Sequence, residues 1–391
     1  MAKHAHTRII DAAGALLGGN RGPVPLELAE RLSDEERRNT LLRLRVTSGP
    51  EVGRTVVLKQ VDGFGKNAND WTKGRFYGDA LGALFLTQVS GDRHAPRCLG
   101  VDVALGFILM EDLGPVESLV EPLLEGSADQ ARTALLTYVR RLGAMHADTA
   151  GRQKEYDDIA DSLQAPPRFR TRQSRRDDDR GLHQGLEGLS RQLADLKMTR
   201  VGPAIMNEIE VVGATVRDPG EFTVLLHRDA CPDNMAFGTD RLRLIDFEFT
   251  KFGHALIDGL YPQLPFPTCW CCNVIPDGLA DELTAAYRAE LARGCPSAAD
   301  DEVYARASAH ITAWWLVCSF GWPFENVVKQ DDTWGLASNR ARELTRLERF
   351  ADVAERAGEL PAMADLARRL ATNLRKIWPN VEPLPFYPAL R

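Results

Sequence analysis

The chain has 391 residues, 44% of them hydrophobic and 26% charged, with a formal net charge of −7. That length carries ample core for two domains or lobes, and the composition is that of an ordinary soluble globular protein. The acidic balance argues against nucleic acid as a partner and suits a cationic substrate. No apolar run approaches a membrane span, so no membrane partner is expected either. The seven cysteines are scattered and form no framework of spacings, so they read as reduced thiols in a cytoplasmic protein, a monomer or homodimer.

Taken in order, residues 5 to 18 have helical periodicity and end at Gly18-Gly19. Within Pro25 to Leu44, Ser33 and Glu36 have the spacing of a capping box, so residues 1–44 read as an N-terminal helical extension. Leu42 to Val46 and Thr55 to Gln60 read as strands around the turn Ser48 to Gly53. Lys59 follows the apolar run Val56-Val57-Leu58. A lysine on a buried strand needs an anionic partner; the alternative is a strand-end lysine that reaches solvent. Arg75 to Leu86 is helical in period and carries Asp79, either the partner acid or a solvated helix charge. Gly106 to Gly114 is an apolar strand ending in a polar, glycine-bounded link.

Ala128 to Ala147 is a long amphipathic helix with Leu135, Leu136, Val139, Leu142 and Met145 on its apolar face. Residues 165 to 181 hold Arg168, Arg170, Arg172, Arg175 and Arg176 followed by Asp177-Asp178-Asp179. The acids cancel much of the basic field, and the segment reads as a solvated loop or insertion. Residues 184 to 215 are helical in pattern.

The stretch Thr223 to Asp258 carries the chemistry. Thr223 to Leu226 is a short β-rich run, followed by the polar loop His227 to Asn234. Met235 to Phe247 then reads as a β-hairpin turning at Gly238-Thr239-Asp240, with Arg241 to Phe247 as the return strand. This arrangement would hold Asp229, Asn234 and Asp246 at one end of a rigid scaffold. Phosphoryl transfer needs such a set: one carboxylate orients or deprotonates the attacking hydroxyl, while an amide and a second carboxylate hold Mg²⁺ against nucleotide phosphates.

Beyond it, Cys269, Cys271 and Cys272 crowd too closely for a zinc site and read as small hydrophobes beside Trp270. Helical patterns follow at Asp281 to Ala292, Val303 to Val317, Arg340 to Ala357 and Met363 to Lys376. Between them, Trp322 to Trp334 mixes acids with tryptophans.

The pattern H-x-D-x-x-x-x-N followed by I-D-F-E resembles the aminoglycoside phosphotransferase and choline kinase superfamily. The resemblance implies an α+β, bilobal protein kinase-like fold, with a small mixed N-terminal lobe and a larger, mainly helical C-terminal lobe. A nucleotide-binding lobe would span residues 45–113, and a catalytic and substrate-binding lobe residues 114–391. The resemblance implies ATP, with GTP as the alternative, and Mg²⁺ as cofactors, and a small-molecule hydroxyl as acceptor.

By the same resemblance Asp229 and His227 take catalytic places, Asn234 and Asp246 hold the metal, and Asp258 is a structural aspartate. Lys59 would contact phosphates, steadied by Asp79. Asp79 stands where the family has Glu and is one methylene shorter, so a looser or water-bridged pair is expected. The backbone of Met110, Glu111 and Leu113 would face adenine at the hinge. Glu325, Asp331 and Asp332 are substrate candidates, with a solvated surface loop as the alternative. An antibiotic or related metabolite is the favoured acceptor. Choline-, sugar- and homoserine-type metabolites, and a silent nucleotide-binding module acting by protein contact, remain as other readings.

Overall fold

The computed structural model describes residues 6–33, 38–65, 67–238 and 241–391. It divides into two compact units. The first comprises Met1–Glu117, Lys154–Phe169 and Ala236–Lys251, and the second Ser118–Gln153, Arg170–Met235 and Phe252–Arg391.

The first unit is built on one antiparallel sheet. Its strands are β1 (Leu26–Arg31), β2 (Asn39–Val46), β3 (Thr55–Val61), β4 (Cys98–Asp102) and β5 (Phe107–Glu111), in the order β1-β2-β3-β5-β4. Strand residues alternate between two faces. The register places Leu42 opposite Leu58 and Leu58 opposite Leu109, so leucines from three strands meet on one face. Helix α1 (Thr7–Gly18) covers that face, with Ile9 and Ala13 packed against Leu42, Leu44, Val56, Leu58, Phe107 and Leu109. Lys59, one residue on from Leu58, projects from the opposite face. Helix α2 (Asp70–Ser90) lies there, capped at its start by the Asn69 side chain, which accepts the Thr72 N–H at 2.8 Å.

The helical reading of residues 1–44 is therefore corrected. Helix α1 stands where expected, but Leu26–Arg31 and Asn39–Val46 are paired strands, and Ile9, Ala13, Leu42 and Leu44 belong to the core of the first unit. Cross-strand pairing overrides a capping-box spacing whose Ser33 hydroxyl instead accepts the Leu41 N–H at 3.1 Å. Glu36 lies outside the described residues.

The second unit is mainly helical. Helix α3 (Ala128–Thr149) begins with a reciprocal capping box between Ser127 and Gln130. It is followed by α4 (Thr171–Asp195), α5 (Pro203–Arg217), α6 (Asp277–Leu291), α7 (Asp301–Gly321), α8 (Asn339–Ala357) and α9 (Pro361–Ile377). Strand β6 (Thr223–Leu226) pairs with β9 (Lys251–His254), whereas the pair formed by β7 (Met235–Phe237) and β8 (Leu242–Leu244) falls, from Ala236 onward, in the first unit.

Two further expectations change. The arginine-rich segment is not a solvated loop: Thr171–Asp195 is one continuous helix. Gly185 and Gly188 present so little bulk that a Cβ at either would collide with the backbone of Val317 or Phe320 in α7, so these two helices pack backbone to backbone. The hairpin after the polar loop has a shorter return strand than expected, because the chain leaves extended geometry at Asp246, whose φ is +67°. Thr239 and Asp240 of its turn lie outside the described residues. The α+β organisation expected from the sequence, a smaller part with a mixed sheet-and-helix content and a larger, mainly helical part, is the one observed. Among the described residues no helix is long and apolar enough to cross a membrane.

Candidate active site

In the first unit, Lys59 is nearly fully buried on β3 and makes two ion pairs: Nζ lies 2.5 Å from Asp79 Oδ2 and 2.6 Å from Asp246 Oδ1. Burial works against its charge, but the two carboxylates outweigh it, and Lys59 titrates above an ordinary lysine. Asp79 is buried, and its second oxygen accepts the Phe247 N–H at 2.9 Å. The looser or water-bridged pair expected of an aspartate is therefore corrected to a direct one. The reason lies in the glycines around it. A Cβ at Gly78 would collide with the Glu248 carbonyl, and one at Gly82 would sit 2.7 Å from Phe247 Cβ. The helix backbone thus approaches the Asp246–Glu248 segment closely enough for the shorter acid to reach.

Asp246 keeps a third of its side chain exposed, the most accessible member of this cluster. Its left-handed backbone is uncommon for a residue with a Cβ and is held by the surrounding contacts. Glu248, two residues on, accepts Arg75 Nε at 2.7 Å, and Arg75 in turn donates to Asn39 Oδ1 at 2.8 Å. Burial, with Asp246 adding to it, raises the Glu248 carboxyl above its ordinary value. Arg75 was missed by sequence reasoning, although it stands one helical turn before Asp79. The hinge residues lie in or just after β5, where Met110 pairs with Val57 and the Glu111 N–H is already donated to the Arg97 carbonyl at 2.9 Å. Asp112 accepts Arg43 Nε at 2.7 Å, next to Leu113.

In the second unit, the polar loop is fixed from several sides. Asp258, wholly buried, accepts the His227 N–H at 2.6 Å through Oδ2 and the Arg228 N–H at 3.1 Å through Oδ1. A carboxylate taking two adjacent amides holds the turn in one conformation, including the left-handed Arg228 with φ +70°. The Arg228 carbonyl accepts the Tyr261 hydroxyl at 2.9 Å, and its guanidinium pairs with buried Asp178 at 2.9 Å. Asp178 belongs to the acidic triplet that sequence reasoning left in solvent; its helical setting, absent from the sequence reading, is what buries it. His146 Nδ1 lies 2.7 Å from the Tyr287 hydroxyl, a buried structural contact.

The loop brings Asp229 and Asn234 together. Asn234 Nδ2 donates to the Asp229 carbonyl at 2.8 Å and to Oδ2 of its carboxylate at 3.2 Å. That leaves the amide oxygen of Asn234 as the atom with the chemistry for a cation. Asp229 Oδ1 accepts the Thr268 hydroxyl at 2.7 Å. Beside it Cys231 is joined to Cys269 in a disulfide, which corrects the reading of all seven cysteines as reduced and removes the cysteine argument for a reducing compartment. Spacing gave no sign of it, because the two residues are 38 apart and meet only in the fold. Cys271 and Cys272 are buried free thiols, Cys272 packing with Ala337, Ala341 and Leu384. Among the described residues no group of three or more His, Cys, Asp or Glu could hold a metal.

Glu325, Asp331 and Asp332 are exposed and engaged locally: Glu325 with Arg191 at 3.2 Å, Asp331 with the Arg340 N–H at 3.1 Å, and Asp332 with Gln330 at 2.6 Å. The structure does not gather them around Asp229.

A family model described as the phosphotransferase enzyme family (APH) matches residues 85–303, more than half of the chain. That span takes in His227, Asp229, Asn234, Asp246 and Asp258. Among solved structures, the chain is similar to a choline/ethanolamine kinase family protein from Mesorhizobium loti, at 16% identity over 95% of this chain and 99% of that one, with a TM-score of 0.41. It is similar to choline kinase from Cryptosporidium parvum at 11% identity, with 91% and 90% covered and a TM-score of 0.44. A third is the ADP-bound aminoglycoside phosphotransferase APH(2'')-Ib, at 14% identity, with 94% and 98% covered and a TM-score of 0.45. No curated protein matches the sequence. The chain belongs to the phosphotransferase enzyme family.

Proposed function

We propose that the chain moves the γ-phosphoryl group of ATP, with GTP as the alternative donor, to a hydroxyl of an antibiotic or related secondary metabolite. The observation that carries this reading is Lys59, a buried cation held by Asp79 on one side and by the more exposed Asp246 on the other. Asp79 would keep Lys59 in place as its charge turns to the donor's phosphates.

Asp246 and the amide oxygen of Asn234 would hold Mg²⁺. Two side chains suffice, because this ion keeps several waters and shares phosphate oxygens, and both offer the hard oxygen ligands it prefers. Bound there, the ion would neutralise charge on the transferring group. The backbone of Met110, Glu111 and Leu113 would receive the base. Asp229 would orient the acceptor hydroxyl and take its proton as the acceptor oxygen bonds to phosphorus and the bond to the ADP oxygen breaks. His227 and Asp258 would hold that loop in its working conformation. In this class of chemistry most of the rate comes from positioning and charge neutralisation.

The acidic balance of the chain, net −7, supports a cationic acceptor. The test is a panel of aminoglycosides, peptide and nucleoside antibiotics, macrolides, choline and simple sugars, incubated with purified chain and MgATP and read by mass spectrometry. A phosphorylated antibiotic is the expected product. Phosphorylation of choline or a sugar alone would overturn the antibiotic reading. No transfer together with no nucleotide binding would overturn the whole assignment.

A further inference from the structure

Every catalytic carboxylate has two oxygens and rotates about one bond unless both are held, and here the partner of Asp229 Oδ1 comes from far along the chain. Thr268 lies 39 residues after Asp229 and donates its hydroxyl to Oδ1 at 2.7 Å, while Asn234 holds Oδ2. The threonine has a single proton and the carboxylate can only accept, so that proton faces Asp229. The Thr268 oxygen lies 3.0 Å from the Tyr261 hydroxyl, whose own proton faces either Thr268 or the Arg228 carbonyl. Burial keeps Tyr261 titrating well above an ordinary tyrosine, so it stays a neutral donor.

The next residue, Cys269, is joined to Cys231 of the loop itself, and both sulfurs belong to buried residues. The Cys231 sulfur lies 3.0 Å from Asp229 Oδ1 and 3.5 Å from the Thr268 hydroxyl oxygen. A covalent bridge one residue from the donor and two from the acceptor fixes their separation. The adjoining thiols are poor rivals for this bridge. Burial pushes Cys271 up to about 12 and raises Cys272, and a protonated thiol does not attack a disulfide. Trp270 completes the segment, donating Nε1 to Asp233 Oδ2 at 3.1 Å, so three consecutive residues, Thr268 to Trp270, each bond to the Asp229–Asp233 stretch.

We propose that Thr268 is a positioning residue for Asp229, and that the Cys231–Cys269 disulfide clamps it there. The proposal rests on the reading of Asp229 as the group that orients the attacking hydroxyl. Losing the clamp lowers turnover without weakening nucleotide binding, because Thr268 touches neither donor nor metal ligand in this arrangement.

The probe is MgATP alone, with water as the acceptor: hydrolysis to ADP and phosphate needs the same orientation of an attacking oxygen. Full-length wild type, Thr268→Val, Thr268→Ser, Cys231→Ser/Cys269→Ser and Asp229→Asn are compared for kcat and KM, with thermal melting as the folding check. A hydrogen bond to a charged group is worth roughly a 10- to 100-fold change. Thr268→Val is expected to lose about that much kcat with KM unchanged, Thr268→Ser to retain most of it, and the double cysteine variant to fall between. Peptide mapping without reductant should recover Cys231 and Cys269 linked. If Asp229→Asn abolishes hydrolysis while Thr268→Val matches wild type, or if Thr268→Ser is as poor as Thr268→Val, the clamp is wrong and the function stands. If Asp229→Asn hydrolyses as well as wild type, both fall. Free thiols at both cysteines would remove the covalent half.

Discussion

Replacing Lys59 by Met keeps nearly the volume of the side chain and removes only its charge, so it isolates the ion-pair cluster from packing. Lys59 and Asp79 are both nearly excluded from solvent, and their atoms are 2.5 Å apart. Taking away one member of such a pair leaves a buried charge without compensation, at about 3–5 kcal/mol. Asp79 retains the Phe247 N–H, and Asp246 is accessible enough to be rehydrated, so the lower end, about 3 kcal/mol, is the expected cost. Adding Asp79→Asn removes the stranded charge. The double variant should then recover roughly 2 kcal/mol of that loss, a coupling typical of residues in direct contact. The assay is urea denaturation followed by circular dichroism, on wild type, both single variants and the double. A Lys59→Met cost below about 1 kcal/mol, or strictly additive effects, would refute the buried pair.

Three other outcomes follow from the same structure. Glu343 is wholly buried, accepts the Gln192 side chain, and is pushed up to about 8 by burial. Between pH 4.5 and 8 the unfolded chain releases this proton and the folded one keeps it, so its effect lowers stability as pH rises across that window. Glu343→Gln should therefore raise the melting temperature at pH 9 and leave it nearly unchanged at pH 4; an equal shift at both would contradict this.

Gly78→Ala puts a methyl group into the Glu248 carbonyl, so it should cost about 1–3 kcal/mol and weaken MgATP binding by moving Asp79 off Lys59. A neutral Gly78→Ala, measured by calorimetry, would deny the close approach. The Cys231–Cys269 bridge closes a loop of 38 residues, worth about 4 kcal/mol on the chain-entropy account. Cys231→Ser/Cys269→Ser should lower the melting temperature by roughly 5 °C, and a shift under about 2 °C would show that the bridge carries little.

Periodicity made some of this legible in advance. In β3 the apolar run Val56-Val57-Leu58 before Lys59 is what implied a buried cation needing an acid. The polar loop with a strand on each side was equally visible, since turn residues punctuate two apolar runs. What escaped was carried by contacts between distant positions. The helix Thr171–Asp195 has an unpromising local composition, and its packing against α7 through Gly185 and Gly188 decides its state. Leu42 to Val46 read as a strand in advance, but β1 and the first residues of β2 are specified by pairing across the sheet rather than by their own pattern. The directness of the Lys59–Asp79 pair depends on glycines whose neighbours come from residues 247 and 248. The disulfide and Thr268 reach Asp229 across nearly forty residues, a distance no spacing rule bridges.

The most direct test of the central claim is a single-turnover transfer from γ-labelled MgATP to an acceptor identified from the antibiotic panel, comparing wild type with Asp229→Asn. Wild type should place label on an acceptor hydroxyl. Asp229→Asn should bind nucleotide with similar affinity and lose the chemical step by about 10²-fold or more, as removal of a positioned proton acceptor does. Transfer by Asp229→Asn at the wild-type rate would contradict the account.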